Sequence, residues 1–310
     1  MTSHHRWLVM LGVTALPGAC SKPAPPVYQA PVVSAGPSVA AVDELLNADR
    51  RFAAAAASRN LVDGLSAIFA ADVVMAVPPG VWAEGAFAVR AALNANPLNA
   101  DARVTWAPIR GGISADRLHG FTFGYMTVQP RDSAIVPMKY LSYWVKGSEG
   151  WRVAAYRRAR RADGAVDARM LEPAVPDQVV SVLGDRVAAA DFAASLAQAE
   201  QAFSDEAQLI GLGPAFRKFG SADAMNMGGP DRSGFVMSAD SIGAYLADSI
   251  PSTPSTVIWK SDRVIVAPSG DLGVSIGVIR QKADMAARGW LFFTVWRRPS
   301  TNAPWRYVAE

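Results

Sequence analysis

Two stretches of the sequence decide the fold: SYWVKGSEGWRVAAY at residues 142–156 and TVWRRPSTNAPWRYVAE at residues 294–310. In each, a Trp lies in an apolar run, basic residues follow it, and a turn of small polar residues leads to Trp-Arg. Trp144 is matched by Trp296, and Trp151 by Trp305. A long apolar run, a turn and a second run are typical of two paired strands. We therefore expect the chain to contain the same pair of strands twice.

The match between the two halves extends well beyond these stretches. Trp106 has a counterpart in Trp259, and Gly120 in Gly273. In both halves helix-forming segments come first and strand-like runs follow, which predicts an α+β arrangement. A unit of about 150 residues is too long for a solenoid repeat, so we interpret it as a duplicated domain. Each domain is expected to pack three N-terminal helices on a strongly bent antiparallel sheet.

Composition narrows the class of protein. Of the 310 residues, 51% are hydrophobic and 18% are charged, so each half can bury a core. The net charge of +3 is too small for the dense basic surface that nucleic-acid binding requires. The single cysteine, Cys20, excludes an intramolecular disulfide. The three histidines include two within the first five residues, so a histidine metal site is not expected, and we predict no metal and no cofactor.

The N-terminus has the pattern of an export signal. A short polar and basic opening is followed by about ten mostly apolar residues, too few to span a bilayer, and then by small residues up to Cys20. The segment Leu16–Cys20 is similar to the lipidation site of bacterial lipoproteins, although Pro17 occupies the position where an aliphatic residue is usual. We predict lipidation of Cys20 and an outer-membrane lipoprotein that faces the periplasm. Ordinary signal cleavage and an uncleaved anchor are the alternatives.

These observations divide the chain into five segments. The first is the signal and the second is rich in Pro, Ala and Ser, which is typical of an extended tether. The predicted boundaries are 1–20 for the signal, 21–38 for the tether, 39–161 for the first domain, 162–177 for a linker and 178–310 for the second domain.

The order of helices and strands, with LSAIFAADVVMAVPPG at residues 65–80, resembles the nuclear transport factor 2-like superfamily and most closely its SnoaL-like branch. The resemblance covers nearly the full length of both halves. It implies a cone in which the sheet wraps around the helices and leaves a pocket at the open end. The superfamily includes isomerases, dehydratases, cyclases and proteins that only bind ligands, so the fold does not decide the function.

The ketosteroid-isomerase branch of that superfamily places an Asp directly before a Pro, where this chain has Val77. Its Tyr on the first helix corresponds to Phe52 and Phe203, and its protonated acid to Lys139 and about Leu291. None of these side chains fills the role that the family requires. We therefore predict no catalytic residue and no acidic group inside either cone.

Alternation along the strand places Lys139, Leu141 and Tyr143 on one face, which the resemblance makes the inner face. The same alternation makes the second cone apolar at this place. The predicted pocket residues are Phe52, Met75, Val77, Lys139, Leu141, Tyr143, Phe203, Asn226, Leu291 and Phe293.

The favoured function is binding without turnover, of a small apolar or weakly acidic ligand in the first cone or of an envelope protein. Lys139 is the reason for expecting an acidic ligand. The alternatives are a lyase or isomerase that uses Lys139 and Tyr143 on a hydrophobic substrate, and a purely structural envelope subunit. In each case we expect the two domains to pack as an internal pseudo-dimer, with the membrane reached through the lipid anchor.

Overall fold

The computed structural model describes residues 37–77, 80–177 and 186–310, so the predicted signal, Cys20 and most of the tether lie outside the described residues. The chain forms two units with the same order of elements. The elements of the first unit are α1 Pro37–Ala56, α2 Leu61–Ser66, β1 Phe69–Val77, β2 Val81–Glu84, α3 Ala86–Ala95, a 3₁₀ turn Pro97–Asn99, β3 Arg103–Ile113, β4 His119–Gln129, β5 Val136–Gly147 and β6 Gly150–Arg160.

The second unit repeats this order without the 3₁₀ turn. Its elements are α4 Arg186–Ile210, α5 Leu212–Phe219, β7 Gly220–Asn226, β8 Val236–Met237, α6 Ala239–Ser249, β9 Val257–Val266, β10 Leu272–Gln281, β11 Trp290–Arg297 and β12 Arg306–Ala309. The predicted α+β fold of two tandem helix-and-sheet domains is confirmed. Among the helices of the described ranges, none combines the length and apolarity needed to cross a bilayer.

Each unit contains one six-stranded sheet, in the order β2-β1-β6-β5-β4-β3 and β8-β7-β12-β11-β10-β9. Neighbouring strands are antiparallel except for β1 with β6 and β7 with β12, which are parallel. Each sheet is thus antiparallel, as expected, apart from this one parallel pair. In each unit the chain continues from the first strand through a second strand, a helix (α3 or α6) and three further strands before the last strand begins. The last strand then lies beside the first and runs in the same direction.

Both sheets bend at matching bulges. In the first sheet the register shifts around Ile109 and Ala154, and in the second around Asp262 and Val308. A bulge adds one residue to a strand, which locally bends the strand and increases its twist. The two sheets are therefore curved at equivalent positions.

Each sheet has one face on its own helices and one face on the other unit. On β5, Tyr140 and Trp144 pack with the helices of the first unit, whereas Leu141 and Tyr143 belong to a different apolar cluster. That cluster also contains residues of the second sheet, among them Phe293, so it lies between the units. The molecule thus has three cores: one inside each cone and one between the sheets.

Ion pairs across this interface are reciprocal. Arg110 of β3 pairs with Asp223 of β7, and Arg263 of β9 lies 3.7 Å from Asp72 of β1. Arg110 and Arg263 occupy equivalent strands, as do Asp72 and Asp223. Such exchange of equivalent contacts is the pattern of an isologous interface.

The segment 162–177 between the units meets β3 near its end, where Ala174 forms an isolated parallel bridge with Gly112. The Leu171 amide donates to the Ile109 carbonyl at 2.7 Å, and the Ala174 amide donates to the Gly111 carbonyl at 2.9 Å. The Arg297 guanidinium of the second unit donates to the Ala174 carbonyl at 2.8 Å. The predicted linker is therefore bound to both units.

Candidate functional site

A cavity of about 680 Å³ lies in the second unit, inside the cone formed by its sheet and helices. This volume is within the range of sites for small organic molecules. Most of the wall is apolar or aromatic, and the principal residues of this kind are Phe203, Leu212, Phe216, Leu246, Ile250, Val257, Trp259, Ile279, Trp290, Leu291 and Phe292.

One side of the cavity contains a carboxylate network built on Glu200 of α4. Trp259 Nε1 donates to Glu200 Oε1 at 2.6 Å, and Trp296 Nε1 donates to Oε2 at 3.0 Å. The Ser275 hydroxyl donates to the same Oε2. Burial raises the pKa of Glu200, although these three hydrogen bonds lower it. Both oxygens are occupied by protein donors, so Glu200 fixes the helix to the sheet.

The first unit has an equivalent network on Asp49 of α1. Trp106 Nε1 donates to Asp49 at 2.6 Å, and the hydroxyls of Thr122 and Tyr140 each donate at 2.8 Å. Burial is again the largest influence and raises the pKa of Asp49. A buried carboxylate with three donors at the same place in both cones is a shared structural element.

Glu310 is the carboxyl group that differs from this pattern. Its main chain exchanges hydrogen bonds with Met225 and Met227, which places Glu310 opposite Asn226 at the end of the sheet. Its side chain lines the cavity, and Oε2 is buried without a hydrogen-bond partner. Burial raises the pKa of Glu310 to about 8, and the nearby charge of Glu200 raises it further, whereas Arg157 and the Asn226 side chain lower it. Glu310 is therefore a carboxyl group whose proton can be exchanged near neutral pH.

The first unit supplies a residue to this cavity. Arg157, on the face of β6 that meets the second unit, is part of the cavity wall. Burial lowers the pKa of Arg157, and the charge of Glu310 opposes that effect. The site consequently requires both units.

The first unit also holds the loop at residues 228–235, of which 228–231 line the cavity. Lys139 Nζ donates to the Gly234 carbonyl at 3.0 Å and to the Arg232 carbonyl at 3.2 Å. The Phe235 ring lies 5.1 Å from the ring of Phe123. Burial lowers the pKa of Lys139 to about 8, and the charges of Arg161 and Arg232 lower it further. Lys139 therefore positions a wall of the cavity from outside it.

The predicted pocket residues fall into three groups. Phe203, Asn226 and Leu291 line the cavity of the second cone. Phe52, Met75 and Val77 pack in the closed core of the first cone, where Phe52 stacks on Trp144 at 6.1 Å. The remaining four residues lie on the interface side of their sheets: Lys139, Leu141, Tyr143 and Phe293.

The prediction that Lys139, Leu141 and Tyr143 face the inside of the first cone is wrong. The three residues do share one face of β5, but the inner face is the opposite one, which holds Tyr140 and Trp144. Because both faces of these strands are buried, an apolar pattern cannot tell them apart. The reason for expecting an acidic ligand, a lysine in the cone, is thereby removed.

The prediction that neither cone contains an acidic group is also wrong. Asp49 and Glu200 are buried in equivalent networks, and Glu310 lines the cavity. The sequence indicates that Asp49 and Glu200 are equivalent, because each lies three residues before one of the matched phenylalanines, Phe52 and Phe203. For Glu310 the signal was its alignment with Tyr156, five residues after the matched tryptophans. For Arg157, which acts across the interface, we find no signal in the sequence.

His119 lies at the interface and away from the cavity. Its Nδ1 is 2.9 Å from the Tyr143 hydroxyl, and burial lowers the pKa of His119 to about 4, although the charge of Asp116 raises it. Within the described residues, no group of three or more His, Cys, Asp or Glu side chains is arranged to hold a metal ion.

Comparison with known proteins gives structural neighbours only. No protein family matches the chain by sequence profile. No curated protein matches it by sequence.

The solved structures that resemble it are NTF2-like, cystatin-like and ketosteroid isomerase-like proteins. An NTF2-like protein with a cystatin-like fold from Novosphingobium aromaticivorans is 19% identical, covers 40% of this chain and 82% of its own, and gives a TM-score of 0.32. An NTF2-like protein of unknown function from Pseudomonas putida is 17% identical over 41% of this chain and 92% of its own, with a TM-score of 0.32. A ketosteroid isomerase-like protein from Erwinia carotovora is 13% identical over 39% of this chain and 97% of its own, with a TM-score of 0.30. Scores this low say nothing about activity.

Proposed function

We propose that the chain is a tandem pair of NTF2-like domains, of the SnoaL-like kind, packed as an internal pseudo-dimer. The reciprocal pairs Arg110–Asp223 and Arg263–Asp72 and the matching bulges of the two sheets support this proposal. An interface built on one chain fixes the two units at high effective concentration.

We further propose that the second cone binds a small, mostly apolar molecule. The observation that carries this proposal is the cavity of about 680 Å³ with aromatic walls and the buried carboxyl group of Glu310. Apolar walls with a few polar groups are the usual composition of a small-molecule site.

The test is titration of the protein with the uncharged fluorescent probe N-phenyl-1-naphthylamine. We expect one saturable site in the wild type. The variant Asn226→Met/Glu310→Tyr places in the second cone the residues found at the equivalent positions of the first, Met75 and Tyr156, and should abolish that site. The matched control is Met75→Leu/Tyr156→Phe, which should bind the probe as the wild type does. Probe binding that persists in the filled variant, with its fold verified by circular dichroism, refutes the proposal.

A second candidate function is an isomerase or lyase on a hydrophobic substrate, as in the alternative raised from the sequence. The residues named there, Lys139 and Tyr143, face the other unit. The observation that favours this candidate is instead the pKa of Glu310, about 8, because a general acid–base works best near the ambient pH. Uptake of deuterium from D₂O by a bound enolisable ketone, lost in Glu310→Gln, would support it.

We also propose that the protein is exported and anchored to the outer membrane through Cys20, facing the periplasm. The apolar run and the small residues before Cys20 support the proposal. Labelling of cells with radioactive palmitate should mark the wild type and leave Cys20→Ser unlabelled. Equal labelling of the two, or none of the wild type, contradicts it.

A further inference from the structure

The charged residues that line the cavity of the second cone are mostly acidic. They are Glu200, Asp231, Asp248 and Glu310, against one basic residue, Arg157. Glu200 is satisfied by its three donors, and the charge of Arg157 acts on that of Glu310. The excess of carboxyl groups disfavours an anionic ligand above pH 8, where Glu310 is ionised.

Glu310 provides a position for the polar end of a ligand. Its Oε2 is buried in the cavity wall and receives no hydrogen bond from the protein. A buried carboxyl oxygen without a donor is costly, and such groups in native proteins call for an explanation. A ligand that places a positive charge beside the Glu310 side chain reduces that cost.

The rest of the cavity suits a cation with an apolar body. Aromatic rings from four elements form part of the wall: Phe203 on α4, Phe216 on α5, Trp259 on β9 and Trp290 on β11. Phe203 lies 4.9 Å from Trp259 and 4.7 Å from Phe216, so these rings form one surface. The faces of aromatic rings attract cations, and the attraction is strongest where water is excluded.

We propose that the natural ligand of this cavity is a small organic cation, whose charged nitrogen lies against Glu310 and whose apolar body lies against the aromatic wall. This inference rests on the proposed function of the second cone and specifies its ligand class. It replaces the weakly acidic ligand expected from the sequence.

The protonation of Glu310 gives the proposal a pH dependence. The groups that act on it are Glu200 from α4, Arg157 from β6 and Asn226 from β7, and Tyr307 of its own strand senses its charge. Below its pKa of about 8 Glu310 is neutral, and above it the carboxylate can pair with a cation. Affinity for a permanently charged cation should therefore rise as the pH increases from 6 to 9.

The experiment compares benzyltrimethylammonium with its uncharged carbon isostere neopentylbenzene and with the anion phenylacetate. Binding is followed by displacement of N-phenyl-1-naphthylamine and by calorimetry, on the full chain. At pH 9 we expect the cation to bind at least about tenfold more tightly than the isostere. We expect phenylacetate to be the weakest of the three at pH 9, where Glu310 is ionised.

The variant Glu310→Gln removes the charge and keeps the size of the side chain. It should lose the preference for the cation and its pH dependence, while neopentylbenzene binds as before. Glu149→Gln, at an exposed position far from the cavity in the fold, is the matched control and should retain both. Because the comparison of the three probes uses the wild type alone, it does not depend on the stability of the variant.

The outcomes separate this inference from the proposed function. If the isostere binds as well as the cation at pH 9, or phenylacetate binds best, the inference is wrong and the ligand-binding cavity stands. If none of the three probes displaces the dye and the dye itself finds no site, the proposed function fails as well.

Discussion

The two cones have the same framework and different interiors. In the first cone Met75 pairs across the sheet with Tyr156, and both side chains are buried in an apolar core. In the second cone the equivalent positions hold Asn226 and Glu310, which line a cavity of about 680 Å³. Two residue differences at one end of the sheet thus accompany the difference between an apolar core and a cavity wall.

The difference suggests a division of labour between the units. The first cone lends Arg157 to the cavity and holds the loop at residues 228–235 through Lys139. The cavity itself lies in the second cone.

The largest effect is expected from opening the first cone. Met75→Asn/Tyr156→Glu places in it the polar pair of the second cone, at positions where Met75 and Tyr156 are buried among apolar side chains. Burying an unpaired carboxyl and losing an aromatic side chain should reduce the free energy of unfolding by about 4 kcal/mol or more. Chemical denaturation measures this loss, and a cost below about 1 kcal/mol would mean that the first interior is as adaptable as the second.

The next largest effect concerns the two buried carboxylate networks. Asp49→Ala leaves the donors of Trp106, Thr122 and Tyr140 without a partner in a closed core, and should cost about 3 kcal/mol. Glu200→Ala should cost less, because water in the cavity can reach its donors. Urea unfolding of the two variants gives the ranking. An equal loss of stability in the two variants would contradict the proposed difference between the two interiors.

Removal of the Lys139 clamp should have an intermediate effect. Lys139→Met leaves the Gly234 carbonyl without its donor, while the Arg232 carbonyl keeps the Ala162 amide, and should cost about 1–2 kcal/mol. It should also weaken binding of N-phenyl-1-naphthylamine, because the loop forms part of the cavity wall. The control Lys146→Met removes an exposed ion pair with Glu44 and should cost less than about 0.5 kcal/mol. Probe binding that is unchanged in Lys139→Met would show that the loop keeps its place without the clamp.

The smallest effect is a slope in stability with pH. A carboxyl group whose pKa is raised from 4.5 to about 8 on folding binds more protons in the folded state than in the unfolded state between those values. Stability should therefore fall as the pH rises from 5 to 8, by about 1–2 kcal/mol once relaxation of the site is allowed for. The free energy of unfolding of Glu310→Gln should lack this part of the slope. Parallel pH profiles for the two proteins would contradict the assignment.

Much of the fold could be predicted from the sequence. The matched tryptophans and the order of helices and strands gave two α+β units, since those patterns depend on local propensity and on burial. The parallel pairing of β1 with β6 could not be predicted, because it depends on how the chain returns after four intervening strands.

The sequence alone determined that two copies of one helix-and-sheet unit are present and that each has enough apolar residues for a core. The tertiary structure decided which buried face of each sheet points inward and which meets the other unit, and so placed Lys139 outside the cone and Glu310 inside it. The physical reason is that alternation along a strand separates the residues of its two faces, but it does not show which face points into the cone when both are buried. Which face points inward depends on contacts between residues far apart in the chain, such as that of Lys139 with Gly234.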